Sequence, residues 1–408
     1  MKIRSVFVAL VAVSALVLTG CASTPEATPD SGSGTPIKVG VIVPLSGVFA
    51  KEGEEVKRGY ELALADIENQ IAGREVELVI GDAFTPEDMI AEVDRLATRE
   101  DVDLFISTYA SPASLAGSEA AARYGLTWIE THATTDSLTT RGLENYFRTT
   151  ARAVDFAQAS ADFVIDGLRE QLGDGLTVFV EHEDGPYGTA VSETQANALE
   201  AAGLTVIVGA HKASATDVTD SILTAKAAKP DIWLNTGYVA DSALLLRTAA
   251  AQDFRPKAIV LTGAGDSQAV FEAVGAKDLT GVFVTAYTSQ IISPEYAPGA
   301  KTFLAKYEKS FDSLPGDSVA SVGYSGMIAA TMLLEESGGS PAIDDVKAAA
   351  KRVDLNFGGL PIGWGLKFNA DQQNERIRMT IVQWRENGTT PAVWPQEAAV
   401  DGEEIVIR

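Results

Sequence analysis

The sequence predicts an α/β protein of two doubly wound, parallel-sheet lobes. Two observations carry this. From Ile37 onward, short apolar and β-branched runs alternate with longer stretches of helical spacing, the βα repeat that builds parallel sheets. The alternation then restarts near Arg148-Thr149-Thr150, and 408 residues suit two domains of ordinary size.

In the first lobe, Ile37-Lys38-Val39-Gly40-Val41-Ile42-Val43 reads as a buried strand. A helix over 53–69 follows from the spacing of Val56, Tyr60, Leu64 and Ile67. A strand over 75–80 precedes a helix over 86–99, opened by Thr85 as N-cap and Pro86 in its first turn. A strand over 102–107, a helix over 115–124 and a strand over 126–129 complete the run. The second run has helices over 153–172, 187–202, 218–228 and 241–251, and strands over 176–180, 205–208, 232–235 and 258–261. A strand over 281–285 is placed to lead back to the first lobe, followed by helices over 300–311, 319–335 and 343–353. The last segment differs: 376–384 alternates as an antiparallel strand, and Glu386-Asn387-Gly388 signals a hairpin.

Cys21 is the only cysteine, and it ends Leu18-Thr19-Gly20-Cys21. Lys2 and Arg4 precede an apolar stretch of about a dozen residues, too short to span a bilayer core of roughly 30 Å. This reads as a lipoprotein signal over 1–20, cut before a lipidated Cys21. Residues 21–36, rich in Ser, Thr, Pro and Gly, read as a flexible tether. After cleavage no thiol remains for a disulfide, a metal or a nucleophile. Hydrophobic residues make up 46 % and charged residues 22 %, a globular balance. The net charge of −24, from 32 basic and 56 acidic residues, repels phosphate backbones and argues against nucleic acid. It also repels anionic headgroups, leaving the lipid as the only membrane contact.

Ligands of open α/β sheets sit beyond the carboxyl ends of the strands. There the sequence places Pro44-Leu45-Ser46-Gly47, Ser107-Thr108-Tyr109-Ala110-Ser111-Pro112 and Glu130-Thr131-His132-Ala133-Thr134-Thr135. From the second lobe come Glu181-His182-Glu183-Asp184-Gly185-Pro186-Tyr187, Thr236-Gly237-Tyr238 and Thr262-Gly263-Ala264-Gly265-Asp266. Hydroxyls and free N–H groups at helix starts can hold a carboxylate, and facing tyrosines can cover an apolar side chain. Taken singly, the serines and threonines suit helix caps equally well. Their recurrence at strand end after strand end favours a ligand cleft.

These residues resemble the type I periplasmic solute-binding proteins, in the branched-chain amino acid (Leu/Ile/Val) binding group that serves ABC importers. The resemblance spans 37–395. It rests on Val39-Gly40-Val41-Ile42-Val43-Pro44-Leu45-Ser46-Gly47 with Gly53, Gly59 and Ala65-Asp66-Ile67 after it, on Thr139-Thr140-Arg141-Gly142 leading to Phe147-Arg148-Thr149-Thr150, and on Asp184-Gly185-Pro186-Tyr187-Gly188. It implies two lobes joined by three hinge crossovers, near 148–152, 285–287 and 359–365, that close on a ligand. The first lobe would comprise 37–150 and 285–360, the second 151–284 and 361–408.

By the same resemblance the carboxylate-binding serine falls on Ser111, flanked by Tyr109 and Ala110. The facing loop falls on His132, Ala133 and Thr134, with His132 a departure from the family's alanine. The two cleft tyrosines fall on Tyr187 and Tyr238. The acid that meets a ligand ammonium falls on Ala264 in the gap-free match, and on Asp266 after a small shift. Glu52 and Glu130 are the alternative counter-charges. If none serves, the resemblance extends to an amide, urea-like or carboxylic ligand, with Glu130 and His132 as polar determinants and the protein acting as a sensor or transporter component. The implied partners are a small solute and ABC permease subunits, at an extracytoplasmic, lipid-anchored location, with no cofactor and no metal.

An enzyme is the rival class. Gly323-Tyr324-Ser325-Gly326 lacks the spacing of a nucleophile elbow, Gly263-Ala264-Gly265 lacks the third glycine of a dinucleotide fingerprint, and His132, His182 and His211 lie far apart. Glu181 and Glu183 suit a solvated loop better than a hydrolase pair.

Overall fold

A computed structural model describes residues 34–213 and 215–407. The expected lipidation site Cys21, the signal 1–20 and nearly all of the tether 21–36 lie outside them. Two sheets form the frame. The first has six strands, β1 (Ile37–Val43), β2 (Gln70–Ile71), β3 (Arg74–Asp82), β4 (Leu104–Ser107), β5 (Thr127–Glu130) and β6 (Tyr146–Arg148), in the order β2-β3-β1-β4-β5-β6. The second has seven, β7 (Thr177–Glu183), β8 (Thr205–His211), β9 (Ile232–Gly237), β10 (Ala258–Gly263), β11 (Phe283–Ala286), β12 (Thr380–Gln383) and β13 (Ala392–Trp394), in the order β13-β12-β11-β10-β9-β7-β8. Pairing is parallel except at β2–β3, β11–β12 and β12–β13. The central strands are buried on both faces, which is why β1, β4 and β9 read as continuous apolar runs rather than alternating ones.

Helices cover both sheets. Helices Ala50–Ala65 and Val319–Glu336 lie against each other in the first lobe, where Val56, Tyr60, Val322 and Met327 join Val39, Val41, Ile106 and Ile129 in one core. In the second lobe Phe163 and Leu168 pack with Val180, Leu234 and Val260. Each such side chain contributes about 1.5–3 kcal/mol of burial, so stability needs no covalent staple.

Several expected bounds move, each for a local reason. The helix expected over 53–69 is Ala50–Ala65; it stops where Glu68 and Asn69 take left-handed backbone, φ 55° at both. The helix expected over 115–124 is Ser111–Arg123, since Pro112 sits in its first turn, where it needs no N–H partner. Helix 153–172 is continuous, but Phe163–Leu168 widens into π turns between Ala153–Asp162 and Arg169–Leu172. The strand expected over 281–285 stays in the second sheet as β11. The expected antiparallel strand is the shorter β12, and its hairpin closes with Arg385 N–H donating to Thr389 O at 2.9 Å.

The lobe boundary near 361 also moves. Leu360, Ile362, Trp364, Leu366, Phe368 and Met379 all pack into the first core, and the chain enters the second sheet only at Thr380. Residues 361–379 therefore accompany the first lobe. Conversely, part of the 285–360 stretch sits with the second lobe's end, where Ile292, Tyr296 and Ala297 pack on Ala392 and Ala398.

Candidate ligand-binding site

The carboxyl ends of the two sheets face one cavity. Tyr109, Ser111, His132 and Thr134 enter it from loops after β4 and β5, and Ser318 and Val319 from the start of helix Val319–Glu336. Tyr187, Gly237, Tyr238, Gly263 and Asp266 enter from the opposite lobe, with Phe156 and Tyr287 beside the crossovers. Seven of the ten expected site residues thus meet. The cavity that remains has a volume of about 40 Å³, against the roughly 10–15 Å³ that one water needs, so the space is a slot for a small solute.

The lobes touch around it. Phe49 packs on Tyr238 with ring centroids 4.9 Å apart, Thr135 Oγ1 donates to Pro186 O at 3.2 Å, and Gln268 N–H donates to Gly316 O at 2.8 Å. The Tyr238 hydroxyl accepts from the Ser111 N–H, and the Asp266 carboxylate accepts from the Ser318 hydroxyl and N–H.

Buried carboxylates at strand ends hold these loops in place. Glu183 accepts from Gly185 N–H at 2.5 Å and Gly188 N–H at 2.7 Å, fixing the turn that opens helix Pro186–Ala201 and presents Tyr187. The Tyr187 hydroxyl donates to Thr262 O at 3.2 Å, and Gly263 follows with φ +94°, where a side chain would run into that hydroxyl. Asp241 accepts from Tyr238 N–H at 3.0 Å. Glu183 is buried, not the solvated loop residue that the sequence suggested.

Ser111 Oγ accepts from the N–H groups of Thr134 at 3.3 Å and Thr135 at 3.2 Å, long bonds that a carboxylate can replace. His132 is held neutral, its pKa pushed down to about 4 by burial. Its Nε2 lies 3.1 Å from Val319 O, which can only accept, so Nε2 carries the proton. On the opposite side, burial pushes the Asp266 carboxyl up to about 6. Burial, and then the Asp266 charge, raise Asp317 well above the usual carboxylate range. Among the described residues, no lysine or arginine lines the cavity.

Three expected residues do not line it. Glu52 is turned into the protein within the first turn of helix Ala50–Ala65, which begins ahead of the expected start, and its Oε2 has no hydrogen-bond partner among the described residues. Ala110 is only the residue before helix Ser111–Arg123. Ala133 has its N–H taken by Glu130 Oε1 at 3.0 Å and its carbonyl by Arg148. Glu130 is fully buried and binds the N–H groups of its own loop, so it is not a cleft counter-charge. Sequence reasoning missed Phe156, Tyr287, Ser318 and Val319. Tyr287 follows a strand and Ser318 precedes a helix, the two signals that would have found them.

Among the described residues, no group of His, Cys, Asp and Glu is arranged to hold a metal, and no helix is long and apolar enough to cross a membrane. Residues 36–389 match the family model for periplasmic binding proteins. The Leu/Ile/Val-binding protein homolog 7 of Brucella suis biovar 1 (strain 1330) is 32 % identical over 373 residues, covering 89 % of this chain and 92 % of the relative. Two solved structures share the fold. A leucine-binding protein from Thermotoga maritima superposes with TM-score 0.77 at 21 % identity, over 87 % of this chain and 97 % of that one. An ABC-transporter solute-binding protein from R. palustris, in complex with 4-hydroxybenzoate, does so with TM-score 0.76 at 19 % identity, over 91 % and 98 %. This chain, with its two sheets facing one slot, is a binding protein rather than an enzyme and belongs to the periplasmic binding protein family.

Proposed function

We propose that the protein captures a branched-chain amino acid for an ABC importer. One observation carries the reading: the slot offers N–H and hydroxyl donors at Ser111 and Thr134 from one lobe, a buried carboxylate at Asp266 from the other, and aromatic walls between them. A zwitterion with an apolar side chain matches that order of groups. Its carboxylate would take the donors at the start of helix Ser111–Arg123, its ammonium would pair with Asp266, and its side chain would lie against Phe156, Tyr187, Tyr238 and Tyr287. The names of the Brucella and Thermotoga relatives support the same class. Contacts to both lobes stabilise the closed arrangement, which a permease can recognise. The signal ending at Cys21 adds an extracytoplasmic, lipid-tethered location to this reading.

A second reading is an aromatic-acid receptor, favoured by the tyrosine-rich wall and the 4-hydroxybenzoate complex of the R. palustris neighbour. Such a ligand leaves Asp266 unpaired. Thermal denaturation separates the two. A ligand at a hundredfold excess over its Kd stabilises by about 2.7 kcal/mol. Leucine, isoleucine or valine should raise the unfolding midpoint, and 4-hydroxybenzoate should not. The reverse pattern would establish the second reading.

A further inference from the structure

The loop that offers Thr134 and Thr135 to a ligand carboxylate is gripped from behind by the first crossover. A trans peptide points its carbonyl and its N–H in opposite directions. The N–H of Thr134 shares a peptide with the Ala133 carbonyl, and that carbonyl accepts from Arg148 Nη1 at 3.3 Å. The N–H of Thr135 shares a peptide with the Thr134 carbonyl, which accepts from Ala153 N–H at 2.7 Å. Arg148 Nη1 also donates to Thr135 O at 2.8 Å. Both N–H groups that face Ser111 are therefore aimed by partners within residues 148–153. The preceding amides of His132 and Ala133 donate to Glu130 Oε1 at 2.9 and 3.0 Å, and that of Thr131 is shared between Glu130 Oε1 and Ser107 O at 3.0 Å, leaving the two that follow as the donors directed at Ser111.

Arg148 is fully buried, and its guanidinium spans two parts of the chain. Nε donates to Gln373 Oε1 at 2.5 Å, while Gln373 Nε2 donates to Thr150 O at 2.8 Å. Asn374 N–H closes the arrangement on Arg148 O at 2.8 Å. The hydrogen-bond partners of the guanidinium are neutral oxygens, and the charges of Asp136, Glu130 and Asp155 surround it at longer range.

We propose that Arg148 is the positioning residue of the carboxylate subsite, fixing the Thr134 and Thr135 donors and tying their direction to the crossover at 148–153. This rests on the amino acid reading for the identity of the ligand, but not for the behaviour of the loop. Lysine at this position keeps the charge but loses the planar fork that reaches two carbonyls and Gln373 together.

The test uses the full chain with Arg148→Lys, and with Gln373→Met as a milder variant that leaves the guanidinium in place. Hydrogen exchange is read without ligand, and leucine affinity is compared with that of leucinamide, which lacks the carboxylate. Exchange at 131–137 should rise at least about tenfold with 178–183 and 206–211 unchanged, and the leucine-over-leucinamide preference should fall about tenfold. A merely structural role would raise exchange throughout both lobes and leave that preference unchanged. Unchanged exchange at 131–137 in both variants, or an intact preference in both, overturns the proposal. If the parent protein binds no leucine, the functional reading fails, and the exchange measurement still decides the role of Arg148.

Discussion

Asp266→Asn should weaken leucine binding about a hundredfold or more while the protein still folds. Removing one partner of a buried, hydrogen-bonded charge pair costs about 2–5 kcal/mol, and each 1.4 kcal/mol is tenfold in Kd. The pH dependence gives an independent check. Burial pushes the Asp266 carboxyl up to about 6, and only its ionised form can pair with an ammonium. Below pH 6 leucine must displace a proton, so affinity should fall about fifteenfold in all between pH 6 and pH 4.5. Asp317, raised by burial and by the Asp266 charge, does not line the slot, and the nearby Tyr287 hydroxyl stays neutral.

Stability without ligand runs the opposite way. A carboxyl with a raised folded pKa binds its proton more tightly folded than unfolded. The contribution of Asp266 is therefore fully present below about pH 4 and lost as pH rises through about 6. Calorimetric titration of both proteins from about pH 4.5 to 8 reads the binding effect. A flat profile in the parent, or an asparagine variant within threefold of it, would remove Asp266 from the ammonium site. The asparagine variant should leave any binding of 4-hydroxybenzoate undiminished, since that ligand has no ammonium.

Gly59→Val should lower the thermal midpoint by about 2–4 °C. Gly59 sits where helix Ala50–Ala65 meets helix Val319–Glu336, and a Cβ there would lie 2.5 Å from the Ala320 carbonyl oxygen and 2.7 Å from the Tyr324 nitrogen. Both are backbone atoms of a helix, so no side chain can turn aside. Gly323 faces back, with its own Cβ position 3.0 Å from the Val56 carbonyl oxygen. Overpacking a core costs about 1–3 kcal/mol, and here the two helices must separate along their closest contact. Gly59→Ala should give a smaller loss of the same sign. A valine variant that melts with the parent would mean that the helices do not pack this closely.

What the sequence disclosed follows from how local each signal is. Helix Pro86–Arg99 has its expected bounds because its start is encoded in adjacent residues: Thr85 Oγ1 accepts from Asp88 N–H at 3.1 Å, and Pro86 occupies the first turn. Helix Ala300–Phe311 is likewise as expected. Three-residue β6 and two-residue β2 carry too little pattern to be seen. The strand-end loops were legible because parallel strands direct their carboxyl ends to one side, so Ser111, Thr134, Tyr187 and Tyr238 could be grouped without a structure. Phe156 and Val319 could not, because they reach the slot from helix starts whose place is set by how the lobes meet. Glu52 and Glu130 misled for the same reason: a carboxylate near a strand end can face the ligand or brace its own loop, and only burial and partners separate the two. The lobe boundary was hidden in 361–379, whose tryptophan and leucine suit either core; the ties of Arg148 to Gln373 keep it with the first.

The central claim is that one small zwitterion is held between Ser111 and Asp266. The crystal structure of the protein grown with leucine tests it most directly. The account predicts a leucine carboxylate within about 3.2 Å of the Thr134 and Ser111 donors and its ammonium within about 3 Å of an Asp266 oxygen. Leucine seated elsewhere, or in the slot with its ammonium turned away from Asp266, would contradict it.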